Sequence, residues 1–243
     1  AITKLGWMEP TLIQEKAIPL LLEGKDLLIR ARTGSGKTAA FAIPLIQKIL
    51  SNKRTQEKQE IKGLIIAPSK ELCKQIYHVI LSLTIKCCRE VRTVDLSSQT
   101  DFNAQKLLLS EMPDIVVVTP SRLLQHLKTK NLMLKRSLDT LIIDEADLVR
   151  IYIIKFLFSF GYEKDLKAVL TYLPTAYQAV LASATLSEDV QTLKKLILHN
   201  PAILKLKEPP LAPPTQLAHY TLAAEENDKA AILYALLKLH LIR

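Results

Sequence analysis

The stretch "DLLIRARTGSGKTAAFAIPLIQKIL", residues 26–50, decides the fold. It opens on an apolar run of strand length, turns through Gly34 and Gly36, and continues as an amphipathic pattern that predicts a helix over 37–50. A buried strand feeding straight into a helix is half of a strand–helix–strand unit, because a parallel neighbour can be reached only by a crossover of a dozen or more residues. The alternation continues along the chain. The runs "GLIIAP", "VRTVDL", "DIVVVT", "LDTLIID", "QAVLAS" and "AILKLK" join "DLLIRA" as seven strand candidates. Helix-length patterns fall at 69–85, 104–110, 120–128, 163–173 and 188–198. Runs apolar on both faces, such as "DIVVVT", fit central parallel strands. The expectation is an α/β fold with a parallel sheet and helices on both faces, whose ligands gather at the carboxyl ends of the strands.

Composition narrows the class. Of 243 residues, 49% are hydrophobic and 23% charged, which is ordinary globular usage and argues against disorder. No apolar run approaches the roughly 20 residues of a membrane span and no secretory leader opens the chain, so a soluble intracellular protein without a membrane role is expected. The three cysteines, Cys73, Cys87 and Cys88, give no four-ligand zinc framework and are read as free thiols. A net charge of +9 favours a polyanionic partner, although solubility alone could account for it.

Within the opening stretch, "ARTGSGKT", residues 31–38, has the strand-to-helix context of a phosphate loop. Gly34 and Gly36 let backbone amides curl round phosphates, Lys37 can reach the terminal phosphates, and Thr38 can offer its hydroxyl to Mg²⁺. Ala31 stands where the strict pattern has glycine. The second acidic half of such a site follows the strand "TLII". In "DEAD", residues 144–147, Asp144 is placed to hold Mg²⁺ and Glu145 to orient or deprotonate the attacking water, while Asp147 is better placed to join motifs. Acidic residues at a helix start would by themselves be explained by the helix dipole. A phosphate loop upstream in the same chain makes the catalytic reading the stronger one.

With both motifs present, the sequence resembles the DEAD-box RNA helicases over essentially its whole length, and four more stretches follow that family's order. "GWMEPTLIQEKAIP" resembles the adenine-reading segment, with Gln14 at the base and Gly6, Trp7, Pro10 and Thr11 shaping the loop. "APSKELCKQI" resembles an RNA-contact motif at Pro68, Ser69, Lys70 and Glu71, with lysine where arginine is usual. "TPSRLL" resembles another at Thr119, Pro120, Ser121 and Arg122, with serine where glycine is common. "SAT", Ser183, Ala184 and Thr185, resembles the motif that couples hydrolysis to strand separation, together with Asp147.

The resemblance implies a RecA-like sheet of the P-loop NTPase kind, ATP and Mg²⁺ as cofactors, and nucleotide contacts from Thr11, Gln14, Arg32, Thr33, Gly34, Ser35, Gly36, Lys37 and Thr38. It implies RNA as partner, gripped by its backbone without sequence preference, with DNA disfavoured. The flanks "RARTGSGKTAAFAIPLIQ" and "LKKLILHNP" resemble nucleolar members acting in large ribosomal subunit assembly, which implies a nuclear, nucleolar location and pre-ribosomal proteins as candidate partners. Each short motif also has a plain explanation: a solvated Gln14, a helix cap at Thr119 or Ser121, a strand end at "SAT". Trp7 and the tyrosines are expected in the core.

Three segments are expected: a RecA-like ATP-binding domain over 1–206, a proline-rich linker over 207–224 with four prolines in six residues, and over 225–243 the first helix of a truncated second domain, with Leu233, Leu236, Leu237 and Leu241 at helical spacing. Family members complete the site with an arginine finger from that second domain. The chain alone is therefore expected to hydrolyse ATP slowly and not to unwind duplexes, and a non-enzymatic ATP- and RNA-binding module is the alternative. The run "RIYIIKFL", residues 150–157, stands as an insertion beside the acidic motif and is aggregation-prone if exposed. The charged stretch 53–62 is expected to be a surface loop.

Overall fold

The computed structural model describes residues 2–55, 58–87, 89–97, 101–148, 171–185, 188–206 and 221–239. It divides into two units, Ala1–Lys207 and Glu208–Arg243. The insertion at 150–157, most of the helix expected at 163–173, and residues 207–220 of the linker lie outside the described residues.

All seven expected strands form. They are β1 (Leu27–Arg30), β2 (Gly63–Ile66), β3 (Thr93–Asp95), β4 (Ile115–Val118), β5 (Thr140–Ile143), β6 (Gln178–Ser183) and β7 (Ala202–Lys205). They pair in the order β3-β4-β2-β5-β6-β1-β7, and every pairing is parallel. The helices of the first unit are α1 (Leu12–Leu22), α2 (Lys37–Lys53), α3 (Lys70–Cys87), α4 (Phe102–Ser110), α5 (Pro120–Lys128) and α6 (Glu188–Ile197). The second unit contributes α7 (Lys229–Lys238), none of whose residues is buried.

The alternation of side chains along each strand divides the core in two. Leu28, Leu64, Val116, Leu141 and Leu181 face a cluster closed by Leu109 of α4, Leu123, Leu124 and Leu127 of α5, and Val190 and Leu193 of α6. Leu27, Ile29, Ile65, Val117, Ile142 and Val180 face the other, closed by Ile13 and Ala17 of α1, Phe41 and Leu45 of α2, and Ile76 and Ile80 of α3. Each fully buried Leu or Ile side chain contributes roughly 1.5–3 kcal/mol. That explains why the central strands read as unbroken apolar runs, whereas edge strand β7 alternates half-buried with exposed.

Several details correct the sequence reading. Helix α1 was not among the expected helices: it carries Pro19 in its interior, and its start is marked by Thr11, whose amide donates to Gln14 Oε1 (3.0 Å), the reciprocal half of a capping box. The described residues of 54–62 do run as a loop at the surface, as expected, but the stretch is anchored at both ends. Lys53 lies 3.0 Å from Asp114, and Ile61 is buried in the core. Of the described tyrosines, Tyr172 and Tyr234 are exposed, whereas Tyr177, like Trp7, packs at the margin of a cluster.

Candidate active site

Parallel strands aim all their carboxyl ends at one edge, and the sheet order sorts what is carried there. Strands β5, β6 and β1 are consecutive neighbours, so Asp144, Ser183 and the loop 31–36 emerge side by side. The Ala31 amide donates to the Ser183 carbonyl (3.1 Å), which stitches the start of the loop to the end of β6. Strands β4 and β2 are likewise neighbours. They place Thr119–Arg122 beside Pro68–Glu71, and β5 and β6 separate this pair from β1.

The loop is shaped by its glycines. Gly34 and Gly36 have φ of 82° and 91°, a region open to glycine at little cost and unfavourable for other residues. A Cβ on Gly36 would stand 2.6 Å from Gln14 Nε2 and 2.8 Å from Thr11 Oγ1. The closeness has a use, because Gln14 Nε2 donates to the Gly36 carbonyl (3.2 Å). Gln14 is thus no solvated helix residue: it links the start of α1 to the loop.

Lys37, the first residue of α2, is 7% exposed and donates from Nζ to the Ala31 carbonyl. The Ser35 hydroxyl oxygen is buried without a hydrogen-bond partner in the structure, a group whose desolvation calls for an acceptor or donor. Thr38 is half-buried, while Arg32, Thr33 and Gly34 are exposed on the rim of the loop.

Opposite them, Asp144 is 3% exposed, and its Oδ1 accepts from the Glu145 amide (3.0 Å). Burial pushes the Asp144 carboxyl up to about 6; the Lys37 ammonium and the Glu145 amide pull it down, and the charges of Glu145 and Asp147 add to the rise. Glu145 itself has φ of 47°, a left-handed backbone in a non-glycine residue. Such a conformation costs of order 1–3 kcal/mol and persists where the surroundings over-determine it. Two residues on, Asp147 Oδ2 accepts from the Thr185 hydroxyl (2.9 Å), and the Thr185 amide donates to Ser183 Oγ (3.2 Å).

On the β2–β4 side, Ser69 Oγ accepts from the Leu72 amide (3.1 Å) and so caps α3. Lys70, Glu71 and Ser121 are exposed, Arg122 is half-buried and donates to Gln125 Oε1 (3.0 Å), and Pro68, Thr119 and Pro120 are buried. Thr119 occupies the N-cap of α5 but makes no side-chain cap bond. Its role there is not the plain cap weighed from sequence.

A phosphate-loop strand and a strand leading into Asp-Glu-Ala-Asp, flanking β6 whose end carries Ser183 and Thr185, agree with comparison to known proteins. The DEAD/DEAH box helicase family model matches residues 11–193. The chain belongs to this family. Among curated relatives, "Probable ATP-dependent RNA helicase ddx56" of Dictyostelium discoideum is 42% identical over the whole chain, which covers 34% of that protein. "ATP-dependent RNA helicase dbp9" of Schizosaccharomyces pombe is 41% identical, again over the whole chain and 39% of the relative. The chain thus spans little more than a third of the length of these helicases. A solved structure, a hypothetical ATP-dependent RNA helicase from Sulfolobus tokodaii, superimposes with a TM-score of 0.66 at 31% identity, over 83% of this chain and 54% of that one. The DEAD-box domain is therefore RecA-like in fold.

The sequence reading missed backbone partners. The carbonyls of Ala31 and Gly36 hold Lys37 and Gln14, and no residue type announces a carbonyl. The one available signal was the spacing of Thr11 and Gln14, which is that of a capping box.

Proposed function

We propose that this chain is the ATP- and RNA-binding half of an ATP-dependent RNA helicase, which couples ATP hydrolysis to the remodelling of RNA duplexes in ribosome biogenesis, in the nucleolus. The observation that carries the reading is the convergence of buried Lys37, after β1, and buried Asp144, after β5, on either side of the end of β6, with Thr185 bonded to Asp147 beside them.

In this reading Lys37 and the amides of the loop from Arg32 to Gly36, including Thr33 and Ser35, bind the phosphates of ATP, and the helix dipole of α2 adds positive potential. Thr11 and Gln14 fix the adenine. Thr38 and Asp144 present a hydroxyl and a carboxylate, hard oxygen donors that suit Mg²⁺. Among the described residues no cluster of three or more His, Cys, Asp or Glu forms a protein-only cage, and Mg²⁺ characteristically takes one or two protein oxygens and completes its shell with water and phosphate. When bound, Mg²⁺ would supply neutralisation of charge developing on the phosphate oxygens. Glu145 orients or deprotonates the attacking water. Asp147, Ser183, Ala184 and Thr185 couple the hydrolytic site to the RNA side.

RNA lies across the β2–β4 end, where Pro68, Ser69, Lys70 and Glu71 and then Thr119, Pro120, Ser121 and Arg122 meet its backbone. Binding there is sequence-independent and salt-sensitive. Pre-ribosomal proteins are the partners this role implies. No helix among the described residues is long and apolar enough to cross a membrane.

The test is saturation with a fluorescent ATP analogue and Mg²⁺, measured on the chain and on Lys37→Ala, with a thermal melt of each. Saturable binding that falls at least about tenfold in the variant, with melting preserved, is expected. Equal binding by the two, or no binding by a cooperatively melting parent chain, would overturn the reading.

A further inference from the structure

The RNA side holds a buried polar connection that none of the roles above uses. It starts at the turn after β3. Ser97 is wholly buried; its amide donates to Asp95 Oδ1 (2.7 Å) and its hydroxyl reaches the carbonyl of Lys70, at the start of α3, in a long contact of 3.4 Å. Leu96, wholly buried too, donates from its amide to Val117 of β4 (2.9 Å). Its carbonyl accepts from Gln105 Nε2 of α4 (2.9 Å), and Gln105 Oε1 lies 3.0 Å from His126 Nε2 of α5.

The chemistry fixes the direction of each bond. Gln105 spends its amide nitrogen on Leu96, so the oxygen left for His126 can only accept, and His126 must donate from Nε2–H. The neutral Nε2–H tautomer satisfies this bond, and a second proton, on Nδ1, would meet no acceptor there. In this tautomer Nδ1 carries a lone pair that is buried without a partner, and Phe102 stacks on the ring (centroids 4.5 Å apart, planes at 13°). Burial, with the charge of Arg122 one helical turn earlier, keeps the imidazole pKa below its usual value.

A pair of leucines would join α4 to α5 without desolvating a histidine and a glutamine. Apolar contact, however, leaves a helix freer to roll and slide than directed hydrogen bonds do. The connection runs from Lys70 at one end to the helix of Arg122 at the other, the two cationic side chains that face RNA in the reading above.

We propose that the Ser97, Gln105 and His126 connection is a positioning device for RNA binding, which sets the first turn of α5, with Arg122, at a fixed spacing from the first turn of α3, with Lys70. This rests on the reading that those two turns hold RNA phosphates. Two grips on one continuous strand must match the spacing of its phosphates, so a shift of α5 weakens binding although no phosphate-contacting residue has changed. His126 and Gln105 are positioning residues, acting through Arg122.

The test measures the affinity of a fluorescein-labelled single-stranded oligouridine for the full chain over a range of KCl concentrations, with Mg²⁺ and a non-hydrolysable ATP analogue present. The variants are His126→Leu, His126→Gln, Gln105→Leu, Arg122→Ala, Lys70→Ala and the double variant His126→Leu/Arg122→Ala, each with a melt and a nucleotide titration. Arg122→Ala should weaken binding and lower the salt slope by about one. His126→Leu and Gln105→Leu should weaken RNA binding roughly five- to tenfold, lower the slope part of the way, and leave nucleotide affinity unchanged. His126→Gln, which keeps a donor at that reach, should recover most of the loss. The double variant should bind no worse than Arg122→Ala alone, because a residue that acts through another is not additive with it.

Wild-type RNA affinity and slope in folded His126→Leu and Gln105→Leu would overturn the proposal, as would additive losses in the double variant. Should His126→Leu fail to melt cooperatively, Gln105→Leu decides. If Arg122→Ala and Lys70→Ala both bind as the parent does, the phosphate-contact reading fails first and takes this inference with it.

Discussion

Gly36 illustrates how little freedom the site leaves a single residue. Its φ of 91° would cost an L side chain roughly 1–2 kcal/mol, and a Cβ there would displace Gln14 and Thr11. Gly36→Ala should therefore lower the melting temperature by about 2–8 °C and weaken the ATP analogue at least about tenfold. An unchanged melt together with unchanged affinity would contradict this. The residues of the loop were legible in the sequence because their requirement is local: glycine where φ is positive, lysine at the helix start. The pairing of Asp147 with Thr185, 38 positions away, has no such local requirement. The sequence reading grouped the two as coupling residues without naming a bond between them.

At the scale of elements, strands were plain in the sequence and some helices were not. Strands covered on both faces write themselves as apolar runs, and β1 to β7 all fell where those runs lie. Helix α1 packs against α2 and the sheet but holds Pro19, so its pattern did not stand out. The tie between α4 and α5 was invisible, because a histidine and a glutamine within apolar stripes resemble surface residues in sequence. That tie has a pH signature. His126 is faced by Arg122 from its own helix and by Gln105 and Phe102 from α4, and its imidazole pKa is lowered in the fold. Below the ordinary imidazole range the unfolded chain takes up a proton that the folded chain resists. Stability from the neutral ring is therefore complete above that range and lost as pH falls through it toward the folded value. Between about pH 7.5 and about pH 5.5, the parent's melting temperature should fall further than that of His126→Gln. Parallel declines would refute the assignment.

For the whole molecule, every described member of the two core clusters belongs to the unit Ala1–Lys207, and α7 buries none of its residues. The chain ended at residue 206 should keep one cooperative melt within about 2 °C of the full chain, and the same affinity for the ATP analogue. A loss of cooperativity or a larger drop would show that the second unit is needed for the first to hold together. The parallel sheet order also has a consequence in time. Strand β1 lies between β6 and β7, and Asp26, at its start, is bonded to Ala179, which follows it by 153 positions. At about 5–20 residues per second of synthesis, β1 waits roughly 8–30 seconds for its neighbours. The loop that is to hold phosphate leaves the ribosome well before the strands that flank it, so in the nascent chain this conformationally demanding turn waits without the support of β6 and β7.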